Sequence, residues 1–369
     1  MLSHRETTAA PMDLHIFNPE HETVMAYGCR HVTVPHAVQE LRMSLGWLPA
    51  LWARDGDMVL VDDAPFAVKA ASKARVPKAD VLYMEKSGLE GQSFDNIIPW
   101  GWDEAVRSML EGMRLSSPSV PGARRVDDIR LRSSRENNKA AIEAVRTGIE
   151  SLTCGECERV ASFGEAVSAV ERWGRAVAKA PWSSSGRGIR YLDAGRLTAE
   201  EHWLKNVLRR QGCVVMEPYY NKVRDFAMEF RALDGGVEYC GLSLFHTCNG
   251  GYTGNIIAPE EEKMRMLRRY IPDDTIMKAR ERVMEYAAKQ LQGVYSGPFG
   301  VDMMVVAGEK GRGFLLHPFV EMNLRRTMGH VALDISDAET GATRVMRIRH
   351  DVNYSLKISN IGNNFAQVI

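Results

Sequence analysis

Apolar positions recur along the chain with two different periods, and the changes of period mark out its elements. Asp13 to Phe17 is a short, mostly apolar run that closes at Asn18-Pro19, the pattern of a buried strand ending in a turn. Met58 to Val61, closed by Asp62 and Asp63, repeats it, and Val81 to Met84 supplies a third run. Between the first two, Val38 to Trp52 places apolar residues at roughly helical spacing. Strands alternating with helices predict a small α/β domain. Ser116 to Gly122 is then rich in turn formers, and Arg124 to Arg135 is charged and poor in large apolar residues. With Asp127 and Asp128 interleaved, that arginine cluster reads as a solvated linker rather than an anion site.

Periodicity returns at Ser162. Ser162 and Glu165 have the spacing of a capping box, the helix runs to Trp173, and Gly174 supplies its stop. Arg175 to Ala180 reads as a strand ending at Pro181, with Ile189 to Leu192 as its antiparallel return. A second strong helix spans 273–292 and buries Ile276, Val283, Ala287 and Leu291 on one face. Two strands then flank the turn at Gly308 to Gly313: Val301 to Ala307, and Phe314 to Asn323.

Composition narrows the class. The 369 residues suggest two or three domains, and 45% apolar with 25% charged residues is an ordinary globular balance. Lys plus Arg equals Asp plus Glu at 47 each, which argues against a nucleic-acid partner. No apolar run suits a signal peptide or a membrane span, so a cytoplasmic protein without a membrane partner is expected. Residues 1–11 are polar and expected to be disordered. The six cysteines lack the spacing of a disulfide framework, and Cys154 and Cys157 read as structural thiols.

The chemistry concentrates in the second hairpin. A turn centred between Gly311 and Arg312 places Asp302 opposite Glu321, and Asn323, two residues on, projects from the same face. Two carboxylates and an amide form a hard oxygen set suited to magnesium shared with phosphates; the alternative is a solvent-exposed pair at a strand end. Pro318 marks an edge or a bulge, and a bulge would shift this register. Arg325, two residues past Asn323, can grip a phosphate bidentately. Lys179 interrupts an apolar strand and needs a partner, which a triphosphate would supply. The loop after it, Ser183, Ser184, Ser185, Gly186, Arg187 and Gly188, can bring backbone N–H groups to phosphate oxygens or be a plain turn. It is not a Walker P-loop. Val214 to Tyr220 is a strand broken at Glu217-Pro218, either a hinge that can read an adenine edge, with Asp225 placed for ribose hydroxyls, or a plain strand end followed by surface charges.

In this order, Lys139 opening a helix, Lys179, the loop 183–188, Glu217, Asp302, and Glu321 with Asn323 resemble the ATP-grasp superfamily over about residues 130–335. The resemblance implies two α+β subdomains gripping ATP behind an N-terminal α/β domain. The divisions are then 12–118, 130–215, 216–345 and a C-terminal tail at 346–369. It implies that Lys139 and Lys179 hold the phosphates, Glu217 to Tyr219 the adenine and Asp225 the ribose. Asp302, Glu321 and Asn323 would hold one or two magnesium ions, and Arg325 would stabilise the phosphoryl group in flight. The implied reaction is ligation: a small-molecule or peptide carboxylate is activated as an acylphosphate for attack by an amine or thiol. A kinase and a non-catalytic nucleotide binder are the alternatives, and a homo-oligomer stays open. The sequence departs from the family at Asn138, where many members carry Asp. Asn18 to Glu22 and the loop Asn249 to Asn255 lie outside the ATP-binding pattern and can line the acceptor pocket; for the first, an Asx-type turn with surface acids is the preferred reading.

Overall fold

A computed structural model describes residues 12–360 apart from 77, 184–187, 249–250, 309–312 and 337–342. The expected disorder of residues 1–11 lies outside the described residues.

The N-terminal runs form a parallel sheet of β1 (Asp13–Ile16), β2 (Met58–Leu60), β3 (Leu82–Met84) and β4 (Asn96–Pro99), in the order β3-β2-β1-β4. Its connections carry α1 (His21–Tyr27), α2 (His36–Leu45), α3 (Ala64–Ala74) and the single turn α4 (Lys86–Leu89), and α5 (Glu104–Gly112) follows β4. Asp63 caps α3 by accepting from Phe66 N, and Asp103 caps α5 by accepting from Val106 N. One face of this sheet buries Leu14, Leu60 and Ile97 against Val106 and Leu110 of α5.

The charged stretch expected to be a linker is instead α6 (Ala123–Arg132). Val126 and Ile129, three apart, suffice to bury one face, while Arg130 lies 3.8 Å over the Trp182 ring. After it come α7 (Asn138–Arg146) and a four-stranded antiparallel sheet of β5 (Glu158–Val160), β6 (Arg175–Lys179), β7 (Ile189–Asp193) and β8 (Val214–Pro218), ordered β5-β8-β6-β7. The helices on it are α8 (Phe163–Trp173) and α9 (Leu197–Gln211). Ser162 caps α8, Glu165 reaches back to Ala161 N, and Gly174 closes the helix at φ 70°, which glycine adopts freely.

The third sheet has seven strands: β9 (Lys222–Leu233), β10 (Gly236–Cys248), β11 (Gly251–Ile257), β12 (Gly297–Ala307), β13 (Phe314–Asn323), β14 (Arg344–His350) and β15 (Tyr354–Asn360). They run antiparallel in the order β13-β12-β9-β10-β11-β14-β15. Two expectations are corrected here. Residues 251–255 are not a loop but part of β11; Asn249 and Gly250 lie outside the described residues. As far as residue 360, the stretch read as a tail supplies the outer strands β14 and β15, and the exposed Lys357 of β15 guards the edge.

Helices α10 (Glu260–Leu267), α11 (Asp273–Leu291) and α12 (Met328–Ile335) pack on this sheet. Ile276, Val283, Ala287 and Leu291 of α11 and Ala141, Ile142 and Val145 of α7 cover its apolar face, where Phe226, Met228 and Phe230 of β9 meet Val301, Met303 and Val305 of β12. Because side chains alternate on a strand, the polar positions of β12 and β13 are turned to the opposite face.

Candidate functional site

The site is built on the β12–β13 hairpin, and its register is set by a bulge. Asp302 pairs with Glu321 and Gly300 with Asn323, as the sequence predicts. Nearer the turn, however, Met304 pairs with His317. Between those pairs β12 advances two residues and β13 four, and the extra length lies at Pro318, which cannot donate to a ladder. Two added residues preserve the alternation, so Asp302 and Glu321 still face the same way. The Val320 carbonyl within the bulge accepts from the buried Asn138 side chain at 2.8 Å. An aspartate at 138 has no proton to donate there, which gives the departure at this position a physical reason.

Asp302 is pushed up to about 8, first by burial and then by the charges of Glu321 and Glu229, with Arg325 opposing. Carboxylates crowded in this way are relieved by a cation, and the oxygen-only donor set fits magnesium.

Two arginines flank the carboxylates. Arg135, 4% exposed, pairs with Glu321 at 2.6 Å and also donates to the Ala180 carbonyl at 2.7 Å and to Ser183 Oγ at 2.9 Å. It therefore ties the hairpin to the end of β6. Sequence reasoning placed it in a solvated linker; its only local signal was a position just before the helix that opens with Lys139. Arg325 donates to Glu22 at 2.5 Å and to Asn323 Oδ1 at 3.2 Å. Burial works against the Arg325 charge, but Glu22, Glu321 and Asp302 together hold its pKa above the ordinary value. Glu22 shows the converse: burial pushes it up, and Arg325, with His21 and Arg135, more than offsets that. The segment Asn18 to Glu22 is thus no surface turn. Asn18 and His21 are buried and bond Asp103, and Glu22 reaches the site.

On the neighbouring sheet Lys179 pairs with Glu217 at 2.6 Å, both side chains almost fully buried. The partner that Lys179 needs is therefore already within the protein. The charges of Glu217, Lys179 and Lys139 all act on Cys157. Lys139, Arg146, Cys154, Cys157 and Tyr220 line a cleft of about 440 Å³ beside them. Burial pushes both thiols up to about 12, which leaves them unreactive and in keeping with structural cysteines.

Tyr219, expected at the adenine, is 38% exposed, with Arg175 stacked 3.9 Å from its ring. Asp225 accepts from Lys222 at 2.6 Å and from Thr247 at 2.8 Å, on β9 opposite Met304. Ser183 holds Arg135, and Gly188 O accepts from Ala180 N at 2.8 Å. Ser184, Ser185, Gly186 and Arg187 lie outside the described residues. A separate acidic group, Asp13, His15 and Asp57, is buried beneath the first sheet. Its carboxylates are engaged, Asp57 accepting from the backbone of Asp13 and Arg54 and Asp13 from the Arg54 guanidinium, while His15 Nδ1 is buried with no partner among the described residues.

His317, missed by the sequence reading, is fully buried against Tyr220 with both ring nitrogens unpartnered among the described residues. Burial, then Lys179 and Arg146, lower its pKa to about 3. Between pH 6.5 and 3 the unfolded chain takes up a proton that the native imidazole refuses, so this residue removes stability as pH falls through that window. The slope is at most about 1.4 kcal/mol per pH unit. Urea unfolding at pH 7 and pH 5 should show the loss in the native protein and a smaller one in His317→Leu; equal losses in both would clear His317 of the effect.

No family model matches the sequence, and no curated protein matches it either. Solved structures do. N5-carboxyaminoimidazole synthetase from Staphylococcus aureus, solved with ADP, is similar over 97% of this chain and 95% of that one, at 11% identity and a TM-score of 0.50. The biotin carboxylase domain of 2-oxoglutarate carboxylase from Hydrogenobacter thermophilus, solved with MgADP, ADP and bicarbonate, covers 91% of this chain and 75% of that one, at 15% identity and a TM-score of 0.49. Likeness at this level speaks for the fold alone, and the first of the two carries it. The chain has the ATP-grasp fold, preceded by an N-terminal α/β sheet.

Proposed function

We propose that this chain is a Mg-ATP-dependent ligase that activates a substrate carboxylate as an acylphosphate for attack by an amine or thiol, with release of ADP and phosphate. One observation supports it most: Asp302, Glu321, Asn323 and Arg325 converge at the end of one hairpin, and Arg135 links that end to the strand carrying Lys179. The S. aureus synthetase with this fold was solved with ADP, which agrees with nucleotide binding here. The proposed units are 12–118, 130–215 and 216–345, and the proposed location is the cytoplasm.

In this reading Asp302, Glu321 and Asn323 hold the magnesium. When bound, the ion would neutralise phosphate charge and orient the transferring group. Lys139 lies at the cleft mouth, where it can meet phosphate oxygens. Lys179 and Glu217 present a buried donor and acceptor, and Asp225 offers a carboxylate to ribose hydroxyls. Arg325, held by Glu22, is aimed from the hairpin end to stabilise charge on a phosphoryl group as it moves. The work is positioning and charge neutralisation, and no covalent protein nucleophile is needed.

The test is to assay ADP and inorganic phosphate separately with candidate carboxylates and amines. Equal release of both, dependent on both substrates, is the expected result. ADP alone identifies a kinase, and neither product with any pair, despite Mg-ATP binding, identifies a non-catalytic binder.

A further inference from the structure

The carboxyl ends of β1 and β2, with the start of α5, enclose a pocket of about 80 Å³, separate from the hairpin. β2 and β3 lie on one side of β1 and β4 on the other, so the connections diverge at this point, the usual place for a ligand in a parallel sheet. Leu60, Val106 and Met109 give it aliphatic walls, and its charged lining is Glu20, Asp62 and Asp103 against Arg42 and Lys86.

Most of that charge is already committed. Asp103 caps α5 and accepts from Asn18 and His21. Arg42 spans Glu20 Oε1 at 2.8 Å and Asp62 at 2.9 Å. Two groups are left over. Glu20 Oε2 is buried with no partner, and the exposed Lys86 ammonium has no acidic partner among the described residues. A buried carboxylate oxygen without a donor is unfavourable, and the two groups left over are of opposite charge.

We propose that this pocket binds a small aliphatic zwitterion, a compound with an amino group and a carboxylate on a short carbon chain. Its ammonium donates to Glu20 Oε2, its carboxylate meets Lys86, and its methylenes lie on Leu60, Val106 and Met109. The site goes beyond the ligase reading and does not depend on it. The start of α1 joins the two regions: Glu20 faces the pocket, and Glu22, two residues on, meets Arg325.

The experiment is calorimetric titration of the full chain, without nucleotide, by L-alanine, β-alanine and 4-aminobutyrate, with propylamine and propionate as controls. At least one amino acid should bind one-to-one and more tightly than either control. Glu20→Gln and Lys86→Met should each weaken it at least about tenfold. Absence of binding by all three, propylamine binding as well as the amino acids, or undiminished binding by folded Glu20→Gln overturns the proposal. If Glu20→Gln fails to fold, Lys86→Met at the exposed end decides alone. Stabilisation by Mg-ATP, measured separately, tells failure of this site from failure of the nucleotide site.

Discussion

Asp302→Asn, and separately Glu321→Gln, should slow ADP formation by roughly a hundred- to a thousand-fold, the loss expected when several kcal/mol of charge stabilisation are removed. Each variant should also lose most of the melting-temperature rise that Mg-ATP gives the native chain, about 2.7 kcal/mol at a hundred times the dissociation constant. The effect has a pH signature. In the metal-free chain Asp302 stays protonated up to about pH 8, whereas an unfolded aspartate ionises near 3.8. Its contribution to metal-free stability is therefore present at low pH and is lost as pH rises through 8. Magnesium needs the ionised form, so Mg-dependent stabilisation should grow between pH 6 and 8, and the growth should be absent from Asp302→Asn. Native activity and a native pH profile in both variants would remove the metal site from this hairpin.

Lys179→Met is the second large effect, and here stability and function should separate. Removing the ammonium leaves Glu217 as a buried charge 2% exposed, with an expected loss of about 3–5 kcal/mol. Replacing both residues, Lys179→Met with Glu217→Leu, should restore most of that stability, because two desolvated charges are exchanged for apolar packing. It should not restore stabilisation by Mg-ATP. Chemical denaturation of the single and double variants, followed by melting with nucleotide, distinguishes the two. A double variant that still responds to Mg-ATP would make this ion pair purely structural.

How far the sequence could be read follows from how local each interaction is. Ser162 with Glu165, Gly174, and the apolar stripe of α11 act within a few residues, and each is found where its pattern predicts. The pairing of Asp302 with Glu321 was also legible, though a symmetric ladder drawn outward from Met304 and His317 would have missed it by two residues. What stayed hidden was tertiary. Arg135 meets a residue 186 positions away, and no local pattern separates a buried arginine from a solvated one. Tyr219 and Tyr220 are adjacent and chemically alike, so no local pattern tells that Tyr220 is the one lining the cleft. The strands β14 and β15 carry charges on their outer face, which weakened the apolar signal that would have announced them.

Glu22 and Arg325 are 303 residues apart in the chain, yet they meet beside the hairpin. During synthesis at about 5–20 residues per second, the glutamate leaves the ribosome roughly 15–60 s before its arginine exists. Over that interval the acid waits for its counter-ion, and only about the last fifth of the chain, from Asp302 onward, can complete the centre. A nascent chain stalled before residue 325 would thus carry an unfinished site, and a first sheet still lacking Val331, Met346 and Leu356 from its core.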